Sequence, residues 1–356
     1  MDKIEEVLTR GVANIIPSKD KLDALLRSGK KLNVYLGIDP TFTQLHLGNA
    51  VPLRKLQALA GLGHHVTFLI GDFTALVGDT SDKDSERPVL TAAQIEENFQ
   101  TYKIQAEKLV NFANIKVRHN SEWLDKLGPK EFIKLTRHFS LNDFISRELI
   151  RKRLNEGKHI SLPEVLYPAL QGYDSYFMDT DVQAGGTDQT FNMQAGRTLQ
   201  KDLRGKESFI IANAFLTGTD GRKMSKSWGN AIWLTDEPND MFGKVMSIKD
   251  ELIVEYFTLG TNVSMEQIDQ IETRLKSAEN PLNLKKELAF VIVSELHAPE
   301  LAKTAQAHFE QTIQAGELPD EIPTITVTRT VLVNALVEAG LASSNSEARR
   351  LVEQGG

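Results

Sequence analysis

Two lysines lie three residues apart in a stretch that begins with glycine and carries two hydroxyl side chains, Gly221-Arg222-Lys223-Met224-Ser225-Lys226-Ser227. This composition is typical of a mobile loop. Paired ammonium groups beside hydroxyls could stabilise the charge that builds up on a leaving pyrophosphate, an electrostatic task without proton transfer. A lysine pair at this spacing is by itself usually a solvated surface, so its meaning depends on what else the chain carries.

A second candidate site follows the segment Gly37-Ile38-Asp39-Pro40-Thr41, where Leu45-His46-Leu47-Gly48-Asn49 opens a helix. The glycine spacing matches neither a dinucleotide fingerprint nor a P-loop. A helix N-terminus nevertheless offers backbone N–H groups to phosphate, His46 adds donors, and Gly48 leaves room for an adenine ring. Taken alone, His46 is better explained as an ordinary helix cap or surface residue than as a ligand-binding residue. The lysine loop further along the same region favours nucleotide chemistry.

The elements that must position these residues alternate between strand and helix. The pattern predicts strands at Asn33–Ile38, Val66–Ile70 and Ile115–His119, and helices at Leu47–Leu62 and Ala92–Phe112. The second helix is long, with Thr91 as its N-cap and Gln94 three residues further on. The alternation continues to about residue 216. It predicts an α/β fold with a doubly wound, mostly parallel, Rossmann-like sheet, whose ligands bind in loops at the carboxyl ends of the strands.

The domain organisation follows from changes in this pattern. Residues 1–228 are expected to form a Rossmann-like catalytic domain with a helical insertion, and residues 229–315 a helical domain with breaks at Asn280-Pro281 and Ala298-Pro299. Residues 316–329, rich in proline and acidic side chains, are expected to be a linker. Residues 330–356 show two helices around a turn at Ser343–Asn345.

Composition excludes several classes of protein. The 356 residues contain no cysteine, so disulfides, thiolate catalysis and cysteine zinc sites are excluded, and the eight histidines show no metal-ligand spacing. We therefore expect no metal site in the protein itself. No apolar run is long enough for a membrane span and no signal peptide is evident, so a cytoplasmic location without a membrane partner is expected.

A formal net charge of −7 argues against a nonspecific nucleic-acid binder and against DNA as a partner, so any RNA contact requires local basic patches. The densest basic cluster contains Arg147, Arg151, Lys152, Arg153 and Lys158. It could contact tRNA phosphates, or it could be a solvated helix face, and the sequence leaves both open. Arg349 and Arg350 near the C-terminus are further candidates.

With these motifs in order, the chain resembles a class I aminoacyl-tRNA synthetase, and within that class the bacterial tyrosyl-tRNA synthetases. His46-Leu47-Gly48-Asn49 stands at the HIGH motif and Lys223–Ser227 matches KMSKS. The resemblance runs from about Val34 to the C-terminus and includes Gly37–Thr41, Gly78-Asp79, Tyr167–Asp174 and Gly185–Gln189. Asn49 departs from the motif's second histidine and keeps only the capacity for a hydrogen bond. The tail from Thr330 resembles the start of an S4 RNA-binding domain without the strands that complete it.

The resemblance implies a tyrosine–tRNA ligase and a role for each matching residue. Tyr35 and Asp174 stand at the tyrosine phenol, and the rest of the tyrosine site would be Thr74, Asp79, Tyr167, Gln171 and Gln189. The ATP site would be Gly37, Asp39, Thr41, His46, Gly48, Asn49, Gly186, Asp188 and Lys226. The catalytic residues would include His46 and Asn49. They would also include the residues at pyrophosphate, which are Lys83, Arg87, Lys223, Lys226 and Ser227.

The same resemblance implies ATP as a substrate accompanied by Mg²⁺, tRNA(Tyr) as the acceptor, a homodimer, and an anticodon-binding role for residues 229–315. Without the resemblance, Tyr35 and Asp174 are better explained by a structural hydrogen bond, and Asp79 by a helix cap.

Three other functions are weighed against this one. Tryptophanyl-tRNA synthetases share the fold and often the HLGN sequence, but Tyr35 with Asp174 argues against tryptophan as the substrate. Small nucleotidylyltransferases also bind ATP at an HxGH helix, yet they lack the residues of this pocket and this tail. A noncatalytic, synthetase-like RNA-binding protein would have lost charged residues that this chain keeps, Asp79, Asp188, Lys223 and Lys226.

Overall fold

The structure, a computed structural model, describes residues 2–79, 90–277, 279–314, 327, 331–342 and 344–353. The chain divides into two compact units, Met1–Gln306 and Ala307–Gly356. The helices up to residue 306 therefore belong to the same compact unit as the sheet. The boundary expected after residue 228 and the linker over residues 316–329 stay predictions, and the linker falls almost entirely outside the described residues.

The first unit is built on a six-stranded sheet with the strand order β1-β6-β5-β2-β3-β4. All neighbouring strands are parallel except the edge strand β1, which runs antiparallel to β6. The strands are β1 Val12–Ile16, β2 Asn33–Ile38, β3 His65–Ile70, β4 Ile115–His119, β5 Val182–Gly186 and β6 Phe209–Asn213. The prediction of a doubly wound, mostly parallel sheet is confirmed.

Helices cover the sheet and continue after it. Those that precede β6 are α1 Lys3–Thr9, α2 Lys19–Arg27, α3 Leu47–Gly61, α4 Asp72–Val77, α5 Ala92–Ala106, α6 Ser121–Leu124, α7 Pro129–Thr136, α8 Leu141–Ile145, α9 Glu148–Asn155, α10 Leu162–Phe177 and α11 Thr190–Arg204. Those that follow are α12 Pro238–Met246, α13 Ile253–Gly260, α14 Met265–Lys276, α15 Pro281–Leu296, α16 Pro299–His308, α17 Leu332–Glu338 and α18 Asn345–Glu353. Short 3₁₀ helices lie at Thr187–Gln189, Lys226–Trp228 and Asp250–Leu252, and a π-helical segment at Phe309–Gln314.

The start of α5 agrees with its sequence signal and its end does not. Thr91 and Gln94 form the capping box that their spacing predicts, with Thr91 Oγ1 accepting from the Gln94 N–H. The helix ends at Ala106 rather than at Phe112. Beyond it, the Asn111 side chain accepts from the Ala113 N–H, and this local turn replaces the helical hydrogen bonds that apolar periodicity suggested.

The boundaries predicted for β2, α3, β3 and β4 hold to within one residue. Helices α15 and α16 begin at Pro281 and Pro299, where breaks were expected and where proline suits the first helical turn. Strand β1 was not predicted, because the strand–helix alternation was followed only from Asn33 onward. It lies at the sheet edge, where only one neighbouring strand supports it.

The sheet sets where a ligand can bind. Strands β2, β5 and β6 are neighbours and parallel, so the segments after Ile38, Gly186 and Asn213 emerge at the same edge. Helix α3 begins at this edge as well. Beneath it lies a buried cluster of Tyr35, Leu69, Trp123, Leu124 and Leu170, which closes the floor of the site. Within the described residues, no helix is long and apolar enough to cross a membrane.

Candidate functional site

A cavity of about 750 Å³ opens at the carboxyl ends of these parallel strands. Of the predicted site residues, all but three line it: Tyr35, Gly37, Asp39, Thr41, His46, Gly48, Asn49, Thr74, Asp79, Tyr167, Gln171, Asp174, Gly186, Asp188, Gln189, Lys223 and Lys226. Lys83 and Arg87 lie outside the described residues, as does the side chain of Ser227. Residues up to 191 positions apart in sequence are thus brought to one site.

One face of helix α10 supplies three of the lining residues. Tyr167, Gln171 and Asp174 follow each other at spacings of four and three, which place side chains on the same side of a helix. On another part of its surface, α10 lies close to α11, because a Cβ added at Gly172 would be 3.1 Å from the Ala195 carbonyl carbon. A larger residue at Gly172 would push the two helices apart. The close packing therefore holds the polar face of α10 against the cavity.

Asp174 forms the polar floor of one end of the cavity. Its side chain is buried and accepts two hydrogen bonds, from Trp123 Nε1 at 2.7 Å and from Asn120 Nδ2 at 3.2 Å. Burial raises the pKa of Asp174 to about 8, although both hydrogen bonds oppose the shift. The nearby Tyr35 is buried too, and its pKa is raised well above 10 by burial and then by the charge of Asp174. A phenol and a carboxyl group therefore face the same buried space.

Two more carboxylates lie further along the cavity, and each is engaged by neutral donors. Asp39 accepts from Thr74 Oγ1 at 2.8 Å and from the Tyr167 hydroxyl at 3.0 Å. Asp79 accepts from Gln189 Nε2 at 2.7 Å. Burial, followed by the charge of Asp39, raises the pKa of Tyr167 well above 10, so Tyr167 stays a proton donor. This part of the cavity carries the negative charge that an ammonium group requires.

The opposite end of the cavity is built on the first turn of α3. His46 is the N-cap residue, and its backbone N–H donates to Asn49 Oδ1 at 3.0 Å. The pKa of His46 is lowered to about 4 by burial and by the charges of Lys223 and Lys226, so the ring is neutral at neutral pH. A Cβ at Gly48 would be 2.9 Å from His46 Nδ1. Gly48 is thus required for the position of His46 as well as for open space above the helix.

The lysine loop faces this helix end. Lys223 Nζ lies 3.5 Å from Asp188 Oδ2 and 3.7 Å from the centre of the Phe215 ring. Lys226 Nζ lies 4.7 Å from the centre of the Phe42 ring. Asn230 anchors the loop by accepting from the Ser225 N–H and donating to the Lys223 carbonyl. Two cations therefore border the cavity where the N-terminus of α3 also offers positive charge.

The residues of the site that sequence reasoning missed include Asn120, Trp123 and Gln183. Asn120 and Trp123 belong to the start of α6 and reach Asp174 across more than fifty residues of sequence. Gln183 lies in β5, where it is buried and accepts from the Tyr35 hydroxyl at 3.0 Å. The available signal for Gln183 was a polar amide inside a buried parallel strand, which requires a hydrogen-bond partner.

The predicted basic cluster is not one exposed surface, and the prediction was wrong for Arg153. Arg153 is 1% exposed, forms an ion pair with Glu164 and donates to the His159 carbonyl. Arg147 is half-buried, donates to the Phe144 carbonyl and lies over the Phe191 ring. Arg151, Lys152 and Lys158 are exposed. Charge density along the sequence overstated the patch because it contains no information about which face of α9 packs inward.

Several proteins of known name are similar to this chain over nearly its full length. A tyrosine–tRNA ligase of Thermotoga maritima is 43% identical over 354 residues, which cover 99% of this chain and 88% of that protein. A tyrosine–tRNA ligase of Dehalococcoides mccartyi is 41% identical, with 100% of this chain and 91% of that protein covered. One from Haemophilus ducreyi is 42% identical, with 98% and 88% covered.

Solved structures share the fold at lower identity. A C-terminally truncated mitochondrial tyrosyl-tRNA synthetase of Aspergillus nidulans has a TM-score of 0.72 at 20% identity, covering 87% of this chain and 94% of that one. A tyrosyl-tRNA synthetase of Archaeoglobus fulgidus, complexed with L-tyrosine, has a TM-score of 0.67 at 22% identity, covering 86% and 100%. Residues 27–314 also match the family described as tRNA synthetases class I (W and Y). The chain therefore belongs to the class I tRNA synthetases of the tryptophan and tyrosine family.

Proposed function

We propose that the chain is a tyrosine–tRNA ligase that activates tyrosine with ATP and then transfers it to the 3′ end of tRNA(Tyr). The observation that carries this proposal is a single cavity with two chemically different ends. One end has a buried phenol and carboxyl group, and the other has a helix N-terminus faced by two lysines. Relatives named tyrosine–tRNA ligase, at 41–43% identity over the whole chain, support it.

Tyrosine would lie along the polar face of α10. Its phenol would meet Tyr35 and Asp174, and its ammonium group would meet the carboxylates near Asp79, with Tyr167, Gln171 and Thr74 around it. Phenylalanine would leave the buried polar groups at the phenol end without a partner, and such groups are costly to leave unpaired. This cost favours tyrosine without a separate editing site. Tryptophan would also place an indole ring where the buried Asp174 carboxyl lies.

The first step requires the tyrosine carboxylate and the α-phosphorus of ATP to be in line. A carboxylate oxygen forms a bond to phosphorus, the bond from phosphorus to the bridging oxygen breaks, and pyrophosphate leaves with its electron pair. Gln189 would lie near the reacting carboxylate. The remaining ATP contacts that we propose are Gly37, Asp39, Thr41, His46, Gly48, Asn49, Gly186, Asp188 and Lys226. Catalysis would come from positioning and charge stabilisation, with no nucleophilic side chain.

The charge that moves onto pyrophosphate would be stabilised by Lys223, Lys226 and Ser227, with Lys83 and Arg87 as further predicted contacts. His46 would act as a neutral hydrogen-bond donor, since its pKa is about 4. Lys223 is paired with Asp188 and lies against Phe215 before any phosphate binds. A triphosphate would compete for its ammonium group.

Mg²⁺ would enter with ATP. The described residues contain no group of three or more histidine, aspartate or glutamate side chains arranged to hold a metal ion. Mg²⁺ is commonly bound through one or two carboxylates and the phosphates of its nucleotide, and we propose that it binds here in that way. Asp188 at the mouth of the phosphate end is the carboxylate best placed to contribute.

In the second step a ribose hydroxyl at the 3′ end of tRNA attacks the carbonyl carbon of the mixed anhydride, and AMP leaves.

We also propose a homodimer, since large apolar side chains are exposed on four consecutive helices, at Ile133, Leu141, Leu154 and Leu162. Light scattering tests this: a monomer mass at micromolar concentration contradicts it. The cytoplasmic location expected from the sequence remains a proposal.

The experiment that tests the activity is the exchange of pyrophosphate into ATP by purified protein with tyrosine, phenylalanine or tryptophan, in the absence of tRNA. We expect exchange with tyrosine alone. Exchange with tryptophan would identify tryptophan, in place of tyrosine, as the substrate, and the chain would remain a member of the same family. No exchange with any of the three would contradict the activation chemistry.

A further inference from the structure

We propose that Gln183 is a positioning residue that determines selectivity for tyrosine by fixing the direction of the Tyr35 hydroxyl proton. Gln183 accepts from the Tyr35 hydroxyl at 3.0 Å, and both side chains are buried, at 1% and 3% exposure. The inference rests on the proposed function, because it assigns Tyr35 to the phenol end of a tyrosine pocket. It adds a residue that acts on the substrate only through another side chain.

The orientation of the Gln183 amide is determined by its other partner. Nε2 of Gln183 lies 2.9 Å from the backbone carbonyl oxygen of Met193. A carbonyl oxygen can only accept, so the amide atom facing it must be the NH₂ group. The atom facing Tyr35 is then the amide oxygen, which can only accept as well. Tyr35 has one hydroxyl proton and must donate it to Gln183.

The surrounding structure holds this arrangement in place. Tyr35 in β2 and Gln183 in β5 are direct partners in the register of two adjacent parallel strands. Helix α11 covers Gln183 closely, since a Cβ added at Gly196 would be 2.7 Å from Gln183 Oε1 and 3.0 Å from Nε2. The amide therefore has little freedom to rotate away from Tyr35, and the hydroxyl proton is held on Gln183 Oε1.

With its proton committed to Gln183, the Tyr35 oxygen can only accept a hydrogen bond from a ligand. Asp174 already accepts from Trp123 and Asn120, and in its ionised form, above a pH of about 8, it can also only accept. The phenol end thus presents acceptors and demands a donor. Tyrosine supplies one proton, phenylalanine none. A ring carrying fluorine at the same position would bring a further acceptor against them.

The test compares tyrosine with 4-fluorophenylalanine in pyrophosphate exchange at pH 9, where Asp174 is ionised, measuring kcat/KM for each. In Gln183→Met the Tyr35 proton loses its partner and can turn toward the ligand. We expect kcat/KM for 4-fluorophenylalanine relative to tyrosine to rise on the order of tenfold, which is about one hydrogen bond. In a Tyr35→Phe background the same Gln183→Met change should leave this ratio unaltered, because Gln183 then has no hydroxyl to direct.

Two further variants separate this role from a loss of packing. Gln183→Glu retains an oxygen that accepts from Tyr35, so we expect the ratio to stay within about twofold of the unaltered protein. Gln200→Met removes another buried glutamine, whose Nε2 donates to the Ser175 carbonyl at 2.7 Å away from the cavity, and should leave the ratio unchanged. If Gln183→Met fails to fold, Gln183→Glu still tests the proposal, because a rise in the ratio in that variant would contradict the role of Gln183.

The results separate the two proposals. Absence of tyrosine-dependent exchange in the unaltered protein would overturn the proposed function itself. If exchange is present, the alternative result is that Gln183→Met changes the ratio of the two kcat/KM values equally whether position 35 is tyrosine or phenylalanine. That result would overturn only the role of Gln183. A tenfold rise in the ratio in Gln183→Glu would do the same.

Discussion

The carboxyl group of Asp174 lies where its charged form is disfavoured, yet it is surrounded by donors. Burial raises its pKa to about 8, while Trp123 and Asn120 stabilise the carboxylate. The protein thereby maintains a polar group at the bottom of a largely apolar cluster at a cost to its own stability. A ligand hydroxyl that enters this space meets partners that are already oriented.

At the residue scale, the raised pKa of Asp174 predicts a pH-dependent stability. In the unfolded chain the group ionises near 3.8 and in the folded chain near 8. Between these values the folded state keeps a proton that the unfolded state has lost, so the free energy of unfolding falls as the pH rises from about 4 to about 8. Asn at this position does not titrate. From pH 5 to pH 8 we expect the unaltered protein to lose at least about 1 kcal/mol relative to Asp174→Asn.

Urea unfolding of both proteins at several pH values measures this difference. If the free energy of unfolding changes with pH in the same way in both proteins, the raised pKa of Asp174 is contradicted. The same variant is expected to weaken tyrosine binding, and the stability measurement does not depend on that outcome.

At the element scale, the loop Lys223–Ser227 and the first turn of α3 border the same end of the cavity, which we propose to bind the phosphates of ATP. Both lysines rest on aromatic rings, Lys223 over Phe215 and Lys226 over Phe42. Such contacts are worth about 1 kcal/mol for partly exposed groups, so they are weak enough to yield to phosphate. The loop can therefore respond to ATP without unfolding its Asn230 anchor.

Replacing Lys226 with alanine is expected to lower the rate of tyrosine activation on the order of a hundredfold, because one stabilising charge in the transition state is removed. Tyrosine affinity should stay nearly unchanged, since the phenol and amino ends lie on other elements. Stopped-flow measurement of activation and equilibrium dialysis with tyrosine test the two statements. Lys276→Ala, on the remote helix α14, is the matched control. A collapse of tyrosine binding in Lys226→Ala would contradict the role of Lys226.

At the scale of the whole molecule, a chain with a net charge of −7 must bind RNA through limited surfaces. Arg349 and Arg350 on α18 are exposed and stay candidates for such a surface, whereas the burial of Arg153 excludes it. Tyrosine activation and tRNA binding by Arg349 and Arg350 can be tested separately, because the residues that line the cavity all belong to the first unit.

Reversing both charges in Arg349→Glu/Arg350→Glu is expected to weaken tRNA binding and to reduce the slope of log K against log salt by about one per lost phosphate contact. Pyrophosphate exchange should be unaffected, since it requires no tRNA. Filter binding over a range of salt concentrations measures the slope, with Lys276→Glu as the control for charge alone. An unchanged slope would indicate that these arginines do not contact phosphate.

The amino-acid sequence by itself determined those features whose signals are local. Apolar periodicity, proline at helix starts and the Thr91 capping box predicted strands β2, β3 and β4 and the starts of helices α3, α5, α15 and α16, because each signal depends on residues within about four positions. Ordered motifs indicated the family, which the comparisons confirmed.

The tertiary structure decided which distant residues meet and which side chains are buried. The partnership of Tyr35 with Gln183 depends on strand order and register across 148 positions, and that of Asp174 with Trp123 on how α6 packs against α10. The burial of Arg153 depends on Glu164 reaching it from another helix. No local pattern encodes such contacts, because they result from the packing of whole elements and from the requirement that buried polar groups be paired.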